Sequence, residues 1–341
     1  MRTFAVGAGA GAGPRVRTFT EAGVPLLNFF AFETSFLGGV RVAQGDLNGD
    51  GVDDVVVATG PGTGPRVKAF DGKTGAELAS FLAYEPAFTN GVFVAVGDVT
   101  GDGVADIVTG TSSGGAARVR VFDGAEGFAP EGGDAGDFFV YDPGFRGGVR
   151  VAVGDVTGDG VADIVTGAGV SGGPHVQGFS VRGGVKVQVA NFFAYDPDFR
   201  GGVFVAVTPG GRIVTGPDGV PDSPGTLLSL LFAGLPDTTG GLARRGATDA
   251  DVTMAPEVRV FDGRGTPVAA ARPFADAFAN GVRVGAGTAR DGSTLVYAAA
   301  GETGGSRVRV YRLTAAGLTP VGADVLAFED TFQGSVYVGG S

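Results

Sequence analysis

The sequence predicts an all-β fold: a six-bladed β-propeller with four antiparallel strands in each blade. Three observations predict it. One strand motif recurs six times, as GPRVRTF from Gly13, GPRVKAF from Gly64, ARVRVF from Ala117, GPHVQGF from Gly173, PEVRVF from Pro256 and SRVRVY from Ser306. A second also recurs six times, as GGVRV from Gly38, NGVFV from Asn90, GGVRV from Gly147, GGVFV from Gly201, NGVRV from Asn280 and GSVYV from Gly334. Its spacings are 52, 57, 54, 79 and 54 residues, and a period near 50 built from short strands belongs to a propeller, not to a helical solenoid. Third, the two ends fit together: RTFAVGAGAGAGPRV aligns with an inner pair of strands, and FEDTFQGSVYVGGS aligns with the entry to strand A. The C-terminal strand A is therefore expected to pair with the N-terminal strands B to D, closing the ring without a bare sheet edge.

The complete unit from Gly38 shows how each element follows. Alternation over Val40–Gln44 gives strand A, and the β-branched run Asp54–Thr59 gives strand B. Strand C is expected over Pro65–Asp71, the turn DGKTG follows, and strand D runs over Glu77–Tyr84. EPAFTNG then carries the chain to the next blade. With 65 glycines in 341 residues and no collagen-like period, tight turns between short strands account for the composition. The whole chain, 1–341, reads as one propeller, with a single excursion over 217–255 between strands B and C of the fourth blade. Its extra length is too short for another blade, and its apolar run TLLSLLFAGL suggests one short helix.

Between strands A and B, three blades carry a nine-residue acidic loop: DLNGDGVDD from Asp46, DVTGDGVAD from Asp98 and DVTGDGVAD from Asp155. Oxygen donors fall at positions 1, 3, 5 and 9, with glycine at 6 for the sharp turn, a spacing that wraps a chain around a hard cation such as calcium. The first loop offers Asp46, Asn48, Asp50 and Asp54 with the Val52 carbonyl. The second offers Asp98, Thr100, Asp102 and Asp106 with the Val104 carbonyl. The third offers Asp155, Thr157, Asp159 and Asp163 with the Val161 carbonyl. Position 12, acidic in an EF-hand, is Val57, Thr109 or Thr166 inside a strand, which excludes that motif. About three Ca²⁺ per chain are expected; the competing reading is an aspartate-rich turn closed by its own hydrogen bonds. Three divalent ions would move the formal net charge from −11 to −5. The corresponding turns of the fourth and fifth blades, TPGGR and GTARDGST, lack the pattern.

These loops and their flanks, GDLNGDGVDDVVV and GDVTGDGVADIVTG twice, resemble the FG-GAP/VCBS repeats of integrin α-chain propellers and bacterial surface proteins. The resemblance implies a calcium-binding propeller of extracellular or cell-surface setting, with binding or adhesion as its work. It departs from the integrin pattern in having six blades where integrins have seven, and GGVxV where the Phe-Gly of the family name would stand.

The remaining features bound the function. The acidic balance argues against nucleic acid or anionic membrane as partner. No stretch approaches the roughly 20 apolar residues of a membrane span, and the start of this sequence shows no signal peptide, so an export signal would lie outside it. Without cysteine there is no disulfide frame or thiol nucleophile. The only histidine, His175, is expected at the surface, and any Ser-His-Asp triad would have to use it. The expectation is a non-catalytic binding, adhesion or scaffold module, monomeric or part of a larger chain, with the 217–255 excursion either meeting a protein or glycan or plugging the channel through its apolar run Leu227–Leu235. A lectin-like propeller is the alternative, and a polysaccharide lyase or hydrolase a further one. Two repeated patterns complete the reading. Phe32-Glu33, Tyr84-Glu85, Tyr141-Asp142, Tyr195-Asp196 and Phe328-Glu329 at the exits of strand D suggest core aromatics with acids capping the next turn. Basic residues alternating along strand C (Arg15, Arg17, Arg66, Lys68, Arg118, Arg120, Arg259, Arg307, Arg309) suggest a solvated face.

Overall fold

The computed structural model describes residues 3–218, 256–274, 281–301, 305–329 and 335–340. They form six antiparallel sheets. In the first blade the strands run Val40–Gly45, Asp54–Thr59, Arg66–Phe70 and Glu77–Leu82, paired in that order. Strand B begins and ends where its β-branched run does. Strand D stops at Leu82, so Ala83 and Tyr84 already belong to the turn into the next blade. The ring closes as expected: Val336–Gly340 pairs with Thr3–Ala8, bringing Val338 opposite Val6.

Burial follows position in the blade. Every residue of strand B over Asp54–Thr59 is buried, because another blade covers each face of the sheet, whereas strand D alternates exposed and half-buried residues. Aromatic side chains join neighbouring blades by a repeated contact. A phenylalanine from strand D packs on the phenylalanine that ends strand C of the next blade: Phe29 on Phe70 (4.8 Å between centroids), Phe81 on Phe122 (4.6 Å), Phe138 on Phe179 (5.4 Å) and Phe192 on Phe261 (4.8 Å). Each such pair adds about 0.5–1.5 kcal/mol beyond area burial.

Two outer edges are more broken than the repeat suggests. In the second blade the outer position is split between Ala129–Pro130 and Asp137–Phe139, with the single helical turn Gly133–Gly136 between them. In the fifth it is split between Gly317–Pro320 and Val325–Leu326. The fourth blade pairs Val203–Val207, Ile213–Pro217, Val258–Phe261 and Pro267–Ala271, so the excursion does connect strands B and C. The expected helix over Leu227–Leu235 lies outside the described residues. No described helix is long and apolar enough to cross a membrane.

Candidate metal centres

The three acidic loops share one hydrogen-bond scheme. In the first, the Asp46 carboxylate accepts from the backbone N–H groups of Gly49 (2.7 Å), Asp50 (3.1 Å) and Gly51 (2.8 Å). Asp98 takes the same three positions in the second loop and Asp155 in the third. Gly51 has φ +80°, a left-handed conformation that a side chain would strain. The fifth-position acids Asp50, Asp102 and Asp159 accept from the N–H two residues on, at Val52, Val104 and Val161.

The ninth position differs in kind. Asp54, Asp106 and Asp163 begin strand B and are 0%, 0% and 1% exposed. Their hydrogen bonds come from neutral donors. Leu47 and Gly72 N–H both reach Asp54 at 2.9 Å, and Val99 and Gly124 N–H reach Asp106 at 2.9 and 3.0 Å. Val156 and Thr157 N–H both lie 3.0 Å from Asp163. Burial pushes all three carboxyls above the usual range, and acidic neighbours add to it: Asp71 and Asp46 near Asp54, Asp123 near Asp106, Asp159 near Asp163. At Asp155 burial also opposes ionisation, but N–H donation from Gly160, Gly158 and Asp159 outweighs it and holds that carboxyl low.

These residues fit a calcium ion by chemistry. The donors are hard oxygens, the innermost acid is buried without a cationic partner among its hydrogen bonds, and the surrounding field is negative. Two exposed basic side chains make long ion pairs with the fifth-position acids, Lys73 at 3.8 Å from Asp50 and Arg182 at 4.0 Å from Asp159, and neither hydrogen-bonds the buried ninth-position acid. Among the described residues no three His, Cys, Asp or Glu side chains gather as a ready-made metal cluster. The donor set therefore leans on Asn48, Thr100 and Thr157 and on the carbonyls of Val52, Val104 and Val161 as well as on acids. A bound ion would supply the positive charge that each buried aspartate lacks.

Sequence reasoning passed over the C–D turn as part of this site. Gly72 and Gly124 stand in the motif Phe-Asp-Gly, and their N–H groups are the ones that reach Asp54 and Asp106. Asn48 further joins Asp54 to Asp71 through its amide nitrogen, at 3.4 and 3.2 Å. The same FDG stands at Phe261-Asp262-Gly263 in a blade without an acidic loop and is replaced by Phe179-Ser180-Val181 in the third, so the motif alone does not mark the site.

Strand C corrects another expectation. Most of its basic residues are paired, and Arg307 stays exposed as expected. Arg66 meets Glu33 of the preceding blade at 2.8 Å and lies 4.8 Å from the Phe32 ring; Arg118 meets Glu85 at 3.1 Å and Arg15 meets Glu329 at 2.7 Å. Arg17, Arg120 and Arg259 each donate to the carbonyl just before the aromatic, at Ala327, Ala83 and Ala194. The acids at the exits of strand D thus divide by length. Glu33, Glu85 and Glu329 reach across to an arginine, while the shorter Asp142 and Asp196 cap the next turn through Gly144 and Asp198 N–H. Hydrogen bonding from Arg66 holds Glu33 down to about 2.

The axis carries an alternation that was legible but unread. The second residue of strand A around the ring is Arg41, Phe93, Arg150, Phe204, Arg283 and Tyr337. The three aromatic rings meet at 6.2, 6.2 and 6.3 Å, edge to face. Each arginine lies over two of them, at 4.4–5.3 Å, and all three arginines are at least 96% buried. Arg150 also pairs with buried Asp218 of the fourth blade. Beyond this layer, toward the acidic loops, the channel holds a cavity of about 80 Å³ lined mainly by Val and Ala, with Gln44 among them.

Comparison with known proteins agrees with this geometry. The FG-GAP-like repeat family matches residues 40–109, and the FG-GAP repeat family matches 147–182. Those two segments carry FG-GAP repeats within a six-bladed propeller. The first matched segment spans the loops from Asp46 and Asp98, and the second spans the loop from Asp155. Among solved structures, a functionally unknown protein from Desulfotomaculum acetoxidans is 13% identical, with 94% of this chain and 78% of that one covered and a TM-score of 0.50. An Agrocybe aegerita lectin that recognises non-reducing terminal N-acetylglucosamine is 15% identical (99% and 84% covered, TM-score 0.46). A Bacillus licheniformis rhamnogalacturonan lyase is 13% identical (95% and 62% covered, TM-score 0.42), so this chain spans less than two thirds of that lyase. At these identities the likeness is one of fold.

Proposed function

We propose that this FG-GAP propeller is a calcium-stabilised, non-catalytic binding module that works outside the cell or at its surface. One observation carries the reading. The fourth blade closes the same A–B hairpin with TPGGR, where Thr208 N–H donates to the Arg212 carbonyl, and keeps the strand pairing of the acidic blades. Blade geometry therefore does not require the acids, and three buried carboxylates left without counter-charge make sense as ion ligands. Each ion would pin strand A to strand B, with the C–D turn joined through Gly72 and Gly124 in the first two blades, and at 100 times its Kd would stabilise the fold by about 2.7 kcal/mol. The opposite face, with the excursion and the D–A connections, is left to a protein or glycan partner.

The reading without catalysis rests on His175. Its Nε2 lies 2.6 Å from Asn191 Oδ1, an amide partner that supplies no acid–base relay. Thermal unfolding in calcium and in excess chelator tests the proposal: a midpoint several degrees lower in chelator is expected, and equal midpoints would contradict it.

A further inference from the structure

Outer faces of the blades are dominated by paired charges, with one exception. In five of the six, strand C presents an arginine or lysine held by an acid: Arg15 with Glu329, Arg66 with Glu33, Arg118 with Asp137, Arg259 with Glu257 and Arg309 with Asp324. The third blade puts His175 and Gln177 at those positions and pairs them across the ladder with Phe193 and Asn191.

The resulting surface has a planar floor and an amide rim. The Phe193 ring, 51% exposed, stacks on His175 at 4.8 Å between centroids, and the Tyr141 ring of the preceding blade lies tilted 5.5 Å from the imidazole. Asn191 Oδ1 is engaged by His175 Nε2, which leaves the Asn191 amide nitrogen with donors to offer. Gln188 donates from its amide nitrogen to Gln177 at 2.6 Å, which leaves the Gln188 carbonyl oxygen as an acceptor. Asn191 and Gln188 are both exposed.

We infer that this face of the third blade binds a neutral carbohydrate. A sugar ring offers an apolar C–H face bordered by hydroxyls that both donate and accept. An exposed phenyl ring beside one free amide donor and one free amide acceptor is the matching arrangement. Neither strand C nor strand D of this blade carries an Asp, Glu, Lys or Arg, so no ion pair of the two strands has to be broken or desolvated. The same exposed phenylalanine elsewhere lacks this setting: Phe30 and Phe139 stand across the ladder from Arg15 and Arg118, whose guanidinium groups are already spent on carboxylates. The inference rests on the binding-module reading and adds a ligand class and a place for it, away from the acidic loops.

Native affinity electrophoresis tests it, using the full chain with calcium in gels containing hydroxyethyl cellulose, laminarin, galactomannan or dextran. At least one neutral polysaccharide is expected to retard the protein. Phe193→Ala and Asn191→Ala should each weaken retardation at least tenfold while leaving the thermal midpoint within a few degrees. Phe30→Ala, of equal exposure in an arginine-bearing blade, should not change it. The inference is overturned if none of the four retards the chain, if only a polyanion such as alginate does, or if both third-blade variants bind like the wild type. Those outcomes leave the calcium effect standing, whereas equal midpoints in calcium and chelator would remove that effect and leave this face untouched.

Discussion

The first three blades and the next two solve the same problem differently. All five must turn strand A into strand B at one end of the ring. In the fourth and fifth the turn is satisfied by its own backbone, through Thr208 N–H to the Arg212 carbonyl and Ala289 N–H to the Ser293 carbonyl. In the first three, carboxylates take that work: the first-position aspartate gathers three N–H groups and the ninth is buried at the head of strand B. The plain hairpins show that a blade can do without the acids. The acidic loops bury three carboxyls on one arc of the ring with only neutral hydrogen-bond donors, and a bound cation would favour their ionised form.

The joint between these arcs is where the largest effect is expected. Arg150 of the third blade and Asp218 of the fourth are both buried. Asp218→Ala leaves that guanidinium without its ion-pair partner and should destabilise by about 3–5 kcal/mol, equally in calcium and in chelator. A loss that vanished on chelation would tie the axis to the loops and break the comparison. Next comes Asp106→Asn. The new amide would face backbone N–H groups, so a loss of about 1–3 kcal/mol is expected in calcium, with one fewer ion bound per chain. Replacing the nine residues from Asp46 by TPGGR should keep the fold and remove only the calcium-dependent part of the first blade's stability. Collapse of the chimera in chelator would show that the acids shape the blade after all.

Acidification sharpens the contrast further. Burial raises the carboxyls of Asp54, Asp106 and Asp163, so in chelator their ionisation opposes folding at neutral pH. That penalty is relieved as pH falls through their raised values. Protons then compete with calcium for the same oxygens, so the gap in thermal midpoint between calcium and chelator should narrow from pH 7 toward pH 4.5. A constant gap would place the ions elsewhere. Glu33 runs the opposite way. Held down to about 2, its pairing with Arg66 contributes above the usual glutamate range and is lost as pH falls toward 2. Because it is solvent-exposed, Glu33→Gln should give the smallest effect, at the edge of detection and erased by salt.

Much of the ring was legible because the repeat writes the same strand six times, and the limits of strand B matched its β-branched run in the first blade. The broken outer edges of the second and fifth blades were not. Strand D is half exposed, so its sequence is weakly constrained, and the turn Gly133–Gly136 leaves no periodic trace. Alternating arginines on strand C looked solvated because several of their partners, such as Glu33 for Arg66 and Glu85 for Arg118, lie 33 residues away on the preceding blade. The acidic loops were read from spacing alone, but Gly72 and Gly124 were not assigned to them, since a backbone N–H donor has no signature in side-chain chemistry. At the axis, the alternation from Arg41 to Tyr337 is plain only when the six copies are set in a circle.

Calcium titration of the metal-stripped chain, followed by direct metal analysis after dialysis, tests the central claim most directly. Three ions per chain are predicted, falling to two when the loop from Asp46 is replaced by TPGGR. No bound calcium, or the same number bound by both proteins, would contradict it.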